Sequence, residues 1–171
     1  MTGLLIRLFV RNKDDVSDPR VRTAYGNLAG AVGIVCNLLL CCAKLLAGLV
    51  AGSVSVMADG LNNLSDASSS IVTLLGFRLS AKPADKEHPY GHARIEYIAG
   101  LGVSVMILLI GFELAKSGVE KILSPTPTEF TAVTALALVL SVAVKLWMAV
   151  FNRTVGKRID STTLIATAAG S

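Results

Sequence analysis

The sequence predicts an all-α membrane protein, a polytopic transmembrane helical bundle with four full spans and the start of a fifth. Three observations carry that prediction. Hydrophobic residues are 53% of the 171 and charged residues only 16%, whereas soluble domains carry about a quarter charged residues. The apolar residues come in blocks long enough to cross a ~30 Å hydrocarbon core at 1.5 Å per residue. The blocks do not alternate apolar with polar residues as barrel strands do, which leaves helices as the way to satisfy the backbone in lipid. Disordered and collagen-like chains are excluded by the same blocks.

The spans follow in order. The first covers roughly Leu28–Val50, interrupted by Asn37 and Lys44. The second covers roughly Ser53–Leu79 and is polar in its middle. The third runs roughly Ile95–Ala115, and the fourth Phe130–Phe151, interrupted by Lys145 and small hydroxyl residues. Ser124-Pro125-Thr126-Pro127 stops the third helix and stiffens the turn after it. After Asp160 a new apolar helix opens, with Ser161 as its cap. The eleven residues from Ser161 to Ser171 are too few to cross a membrane.

The net charge of +4 lies between the apolar blocks, which points to membrane orientation rather than nucleic acid. Arg7, Arg11, Lys13, Arg20 and Arg22 precede the first span, and Ala51-Gly52 after it is uncharged. Arg78, Lys82, Lys86 and Arg94 flank the next connection, Lys116 and Lys121 the third, and Arg153, Lys157 and Arg158 the fourth. The positive-inside rule places the N-terminus and the 80–93 and 152–160 loops in the cytoplasm. Residues 1–26 are expected to form a cytoplasmic, partly amphipathic arm, because their apolar start is too short and interrupted for a signal core. Cys36, Cys41 and Cys42 lie in one apolar segment at spacings that match no zinc pair, and read as small apolar side chains.

The second span holds the chemistry. Asp59, Asn62, Asn63 and Asp66 follow the i, i+3, i+4, i+7 pattern and share one helix face. Asn62 and Asp66 are one turn apart, about 6 Å along the axis, so their oxygens can contact one cation. An ionised Asp near mid-span costs at least ~2.5–3.5 kcal/mol and needs a partner or a water-filled cavity. A structural polar seam would suit Asn63, Ser68, Ser69 and Ser70 but leaves two aspartates in need of cations. Lys44 and Lys145 are the candidates; each is expected near a helix end, free to snorkel to the headgroups. An ion pathway is therefore favoured. Carboxylate and amide oxygens are hard donors suited to Mn, Mg or Ca, whereas zinc prefers imidazole or thiolate.

Both histidines lie in Asp85-Lys86-Glu87-His88-Pro89-Tyr90-Gly91-His92. The spacing of Asp85, His88 and His92 can gather two imidazoles and a carboxylate on a metal. Proline and glycine between them make a turn, and spacing alone favours two solvated loop histidines before a helix start near Ala93. No nucleophile–base pair or phosphate loop supports an enzyme.

Together the two segments resemble the cation diffusion facilitator family. Ala58-Asp59-Gly60-Leu61-Asn62-Asn63-Leu64-Ser65-Asp66 is similar to its DxxHxxxD/DxxDxxxD-type motif, and His88-Pro89-Tyr90-Gly91-His92-Ala93-Arg94-Ile95-Glu96-Tyr97 to its loop into the third span. The resemblance covers roughly residue 20 to the end. It implies a six-span, multi-pass transporter of the cell membrane, with cytoplasmic termini. It further implies a homodimer that exports divalent metal in exchange for protons, with no resident cofactor. Residues 27–171 would then be the N-terminal part of its transmembrane domain. By motif position the second-helix ligands are Asn62 and Asp66; a loop site of some members maps to Asp85, His88 and His92. Asp59, one turn above, is expected to line the outer exit.

Two departures from the family pattern matter. Asn62 stands where zinc exporters have His or Asp, and resembles the manganese-exporting branch. Zinc, cobalt or ferrous iron remain alternatives, as does a helical membrane subunit that packs through its polar seam and transports nothing. The family's first fifth-helix ligand aligns with Gly170 and the second falls beyond Ser171. The expectation is a fragment of a longer transporter, with Gly170-Ser171 matching a common cloning remnant.

Overall fold

The computed structural model describes residues 2–86, 88–124 and 131–170. Among them every regular element is helical, as the composition requires. Six helices follow in order: α1 Thr2–Phe9, α2 Pro19–Ala51, α3 Val54–Ser80, α4 Ile95–Leu123, α5 Ala132–Arg158 and α6 Thr162–Ala169. Three of them, α2, α4 over Ile95–Glu120, and α5, are long and apolar enough to cross a membrane. α3 has the length, at 27 residues, but its polar face keeps it below that apolar standard. The prolines expected to stiffen the turn after α4, and Phe130, lie outside the described residues.

α2 begins at Pro19, inside the segment expected to be a separate arm over residues 1–26. The reason is a cap. The Asp18 carboxylate accepts from the Arg20 backbone N–H at 2.8 Å, and Pro19 follows with its φ already set for a helix. At the other end Gly52 adopts φ 64°, the left-handed conformation that glycine tolerates without strain, and its N–H donates to the last carbonyls of α2. Ser53 then opens α3. So tight a turn makes α2 and α3 an antiparallel pair. Ser161 caps α6 as expected, accepting from Leu164 N–H at 3.4 Å.

α2 meets α3 along a stripe of buried residues that includes Gly26, Gly30, Gly33, Asn37, Cys41, Lys44 and Gly48. Steps of three and four keep that stripe on one helix face. Small residues there let two backbones approach closely, since lipid gives no hydrophobic drive to hold helices together. A Cβ added at Gly30 would stand 2.8 Å from Leu74 Cβ. The faces of Gly26 and Gly33 are closed in the same way by the Phe77 ring and Ser70.

The apolar core gathers at one end of the bundle. Tyr25 of α2, Phe77 of α3, Phe151 and Val155 of α5 and Leu164 of α6 are all fully enclosed, and Ile6 of α1 packs onto them. Elsewhere most large apolar residues face outward, with Leu40, Val103 and Met148 among the buried exceptions. Leu39, Leu46, Leu101, Leu108, Phe112 and Leu146 are among the exposed ones, which suits a surface solvated by acyl chains. At the core end Glu96 of α4 is 3% exposed. The Arg22 guanidinium grips both of its carboxylate oxygens, with Nη2 to Oε1 at 3.0 Å. Ser161 Oγ donates to the same carboxylate at 2.7 Å, and Thr163 Oγ1 to the Glu96 carbonyl at 2.8 Å. Arg22 Nε also donates to Ile159 O at 3.1 Å. Through its carboxylate and its backbone carbonyl, Glu96 thus joins α2, α4, the α5–α6 turn and α6.

Gly30→Leu is expected to wedge α2 off α3 and cost about 1–3 kcal/mol of stability by overpacking. Gly111→Leu on α4, where an added Cβ meets nothing within 4 Å, is the control and should change stability by less than about 0.5 kcal/mol. Thermal unfolding in detergent reads both.

Candidate metal centre

α3 carries its polar residues on the face the 3.6-residue repeat assigns them, but they do not share one space. Asp66 borders a small cavity of about 50 Å³ with Asn37 of α2, Ser69 and Ser70 of α3, Val103, Ile107 and Ile110 of α4, and Thr167 and Gly170 of α6. Asn62 is exposed and lines a wider neighbouring cleft of about 530 Å³. Asp59, Ser55, Ser65, Glu113 and Ser117 share that cleft. The expected pair Asn62 and Asp66 therefore sits astride two adjoining cavities that share Ile110.

Both span aspartates have cationic partners, which corrects the expectation for the lysines. The Lys145 ammonium bonds the Asp66 carboxylate, and Lys44 Nζ lies 2.8 Å from Asp59 Oδ2. Lys145 belongs to the middle of α5, Ala132–Arg158, not to its end. Lys44 is 6% exposed, because the glycine stripe draws its side chain into the α2–α3 seam. Snorkelling would forfeit both pairs, and an uncompensated carboxylate at that depth is costly.

The hydroxyl groups around Asp66 are engaged locally. Ser70 Oγ donates to the Asp66 carbonyl at 3.2 Å and Thr73 Oγ1 to the Ser69 carbonyl at 3.0 Å. Thr73 and Thr167 hydroxyls meet at 3.0 Å across α3 and α6. Asn63 is buried and its amide donates to the Asp59 carbonyl at 3.3 Å, the helix-internal use that the seam reading expects.

The loop residues Asp85, His88 and His92 converge. One ligand atom from each can be chosen so that all lie within 4.8 Å of one another. Asp85 Oδ1 is 3.2 Å from His88 Nδ1, and Asp85 Oδ2 is 3.5 Å from His92 Nε2. Ligand atoms on a tetrahedral ion with ~2.1 Å bonds stand about 3.4 Å apart. The turn makes this possible: Gly91 takes φ 78°, which brings His92 back over His88 with ring centroids 4.4 Å apart. His92 is buried, and its Nδ1 lies 3.2 Å from the Pro83 carbonyl. That contact orients the ring with Nε2 towards Asp85, the arrangement seen behind metal-binding imidazoles. The His88 backbone N–H, bonded at 2.7 Å, holds the Asp85 carboxyl below its ordinary range. Spacing alone had favoured two solvated histidines; one is solvated and the other is not.

Three residues of these sites were missed. Asn37 registered only as an interruption of the first span, although it falls on the stripe through Gly33 and Cys41. Glu113 is the second acid of the third span, after Glu96, and lines the cleft with Asp59 and Asn62. Thr167 joins the Asp66 cavity from α6. The cysteines stand as read, all free.

Asp66→Asn or Lys145→Met alone should cost about 3 kcal/mol, because each strands a charge, while the double variant should recover most of the loss. A double-mutant cycle on thermal stability measures it.

Comparison with known proteins bears on both motifs. The family model described as the cation efflux transmembrane domain matches residues 31–170. An uncharacterized transporter of Methanocaldococcus jannaschii is 35% identical over 137 residues, covering 80% of this chain and 48% of that protein. The manganese efflux system protein MneS of Bacillus subtilis is 36% identical over 149 residues, covering 84% of this chain and 50% of MneS. The magnetosome protein MamM of Paramagnetospirillum magneticum is 32% identical over 140 residues, covering 81% of this chain and 44% of MamM. The chain thus spans about half the length of the curated relatives it matches. No solved structure matches it significantly. A match over residues 31–170, on a helical membrane bundle that carries both motifs, identifies the chain as a member of the cation efflux family, the cation diffusion facilitators.

Proposed function

We propose that this chain serves the efflux of a divalent metal cation, with Mn²⁺ favoured, in exchange for protons. The observation that carries the proposal is Asp66: an ionisable group at the middle of α3, bordering a cavity walled by Asn37, Ser69, Ser70 and Thr167. An intramembrane carboxylate in that setting is read as part of an ion pathway. Among the described residues the lining of its cavity offers hard oxygen donors and no imidazole or thiol, which suits Mn²⁺ better than Zn²⁺. The likeness to MneS supports the same metal. Zn²⁺, Co²⁺ or Fe²⁺ are the alternatives within the family.

In this reading Asn62 and Asp66 hold the cation between the two adjoining cavities. Gly170, on the wall of the Asp66 cavity, stands where the family resemblance expects a fifth-helix ligand. Lys145 neutralises Asp66 while no cation is bound, so an arriving cation must displace the ammonium. Protons returning to the carboxylate weaken its hold on the metal, since ligands bind deprotonated. Asp59 and Glu113 line the wider cleft as the outer exit. Rocking of the helices about the site would alternate its access. Asp85, His88 and His92 form a second divalent-ion site in the loop. The arm and that loop face the cytoplasm, the membrane is the cell membrane, and the working protein is a homodimer without enzymatic activity.

The paired lysines favour a second reading, a structural seam in which Asp59 and Asp66 only tie helices together. Transport separates the two. In the complete product of the reading frame that encodes this chain, Asp66→Ala is expected to abolish Mn²⁺ extrusion; wild-type efflux by that variant would favour the seam. Asn62→His is expected to shift preference towards Zn²⁺, because imidazole suits it, read as the ratio of Zn²⁺ to Mn²⁺ uptake into inside-out vesicles.

A further inference from the structure

The cavity beside Asp66 has a wall that neither motif accounts for. Asn37 lies on α2, 2% exposed, and lines that cavity opposite α3. Its Oδ1 has no hydrogen-bond partner among the described residues. Its polar neighbours are engaged: Ser70 Oγ donates to the Asp66 carbonyl at 3.2 Å, and Thr167 Oγ1 to the Thr163 carbonyl at 2.9 Å. A helix-packing asparagine would spend its oxygen on a donor from α3; this one does not. A buried acceptor without a donor is costly, and such groups call for an explanation in function. The two ends of the amide have nearly the same shape, so the oxygen can be presented to either side. The cavity, at about 50 Å³, exceeds what one water needs. Amide oxygen is also a hard ligand, suited to the same cations as a carboxylate.

We propose that Asn37 supplies an amide-oxygen ligand from α2 to the divalent cation held at Asp66, so that the intramembrane site draws on the first span as well as the second. This rests on the reading of Asp66 as the cation site. Asn37 shares a cavity with Asp66 directly, whereas Asn62 reaches it from the neighbouring cleft. The small residues of the α2 stripe are what let an asparagine stand so close to α3.

The test is an equilibrium titration of Mn²⁺ into the purified complete product, with free Mn²⁺ read from its electron paramagnetic resonance signal. The binding of interest is the class lost in Asp66→Ala. Asn37→Ala is expected to weaken that class about tenfold or more, within the 10–100-fold range for groups that support a metal site. Asn37→Asp keeps an oxygen at the same place, and should bind within threefold of wild type or tighter. Wild-type binding by Asn37→Ala overturns the proposal. So does equal weakening by Asn37→Asp, which keeps the shape and an oxygen and would mark a need for the amide N–H or for a neutral side chain instead of oxygen donation. If Asn37→Ala does not insert into the membrane, Asn37→Ser is judged by the same thresholds. The two levels separate cleanly. Undiminished Mn²⁺ binding in Asp66→Ala brings down the site itself. Loss in Asp66→Ala with none in Asn37→Ala brings down only the asparagine.

Discussion

A carboxylate inside a helical membrane bundle is stabilised by a cation, and among the described residues Asp59, Asp66 and Glu96 each find one across helices, although Asp59 keeps 44% of its side-chain surface exposed. Asp59 takes Lys44 from α2, Asp66 takes Lys145 from α5, and Glu96 takes Arg22 from α2. Each pair joins helices that an apolar surface alone would not hold in register, because lipid solvates leucine as well as protein does. The pairs also differ in depth of enclosure. Glu96 is closed in and fully bonded by Arg22 and Ser161, as a permanent joint should be. Asp66 keeps about a fifth of its side-chain surface open, beside a cavity and against a flexible lysine. That is the condition under which a carboxylate can exchange one cation for another.

Close helix packing sets up this chemistry. The glycines of α2 bring its backbone against α3, and the residues that share their helix face, such as Asn37, Cys41 and Lys44, are then buried whether polar or not. Asn37 and Lys44 are buried for this reason, not because they are apolar. The same approach narrows the space at Asp66 to a small cavity and leaves the wider cleft to Asp59, Asn62 and Glu113.

Much of this was legible beforehand, and the limits have physical causes. Helix placement followed from block length, since lipid permits little else. The shared face of Asp59, Asn62, Asn63 and Asp66 followed from the 3.6-residue period. α2 began earlier than its apolar run because capping by Asp18 and Pro19 depends on hydrogen bonding rather than hydropathy. The lysines were misjudged because a long flexible side chain reaches either the headgroups or a neighbouring helix, and linear position does not say which. The convergence of Asp85, His88 and His92 was not legible because it rests on the positive φ of Gly91 and the burial of His92, neither of which has a spacing rule.

By itself the sequence determined the helical class, the order of the long helices, the polar face of α3 and the two motifs that mark the cation efflux family; of the four full spans it predicts, three are apolar enough to cross among the described residues. These follow from local periods and from the solvent, which act on each segment without reference to the others. Only the tertiary structure decided which charges are compensated and by whom, which cavity each polar residue of α3 borders, and that Asn37 lines the same cavity as Asp66. Those depend on how two helices cross, and a crossing is set by side chains far apart in the chain that meet only when the bundle has closed.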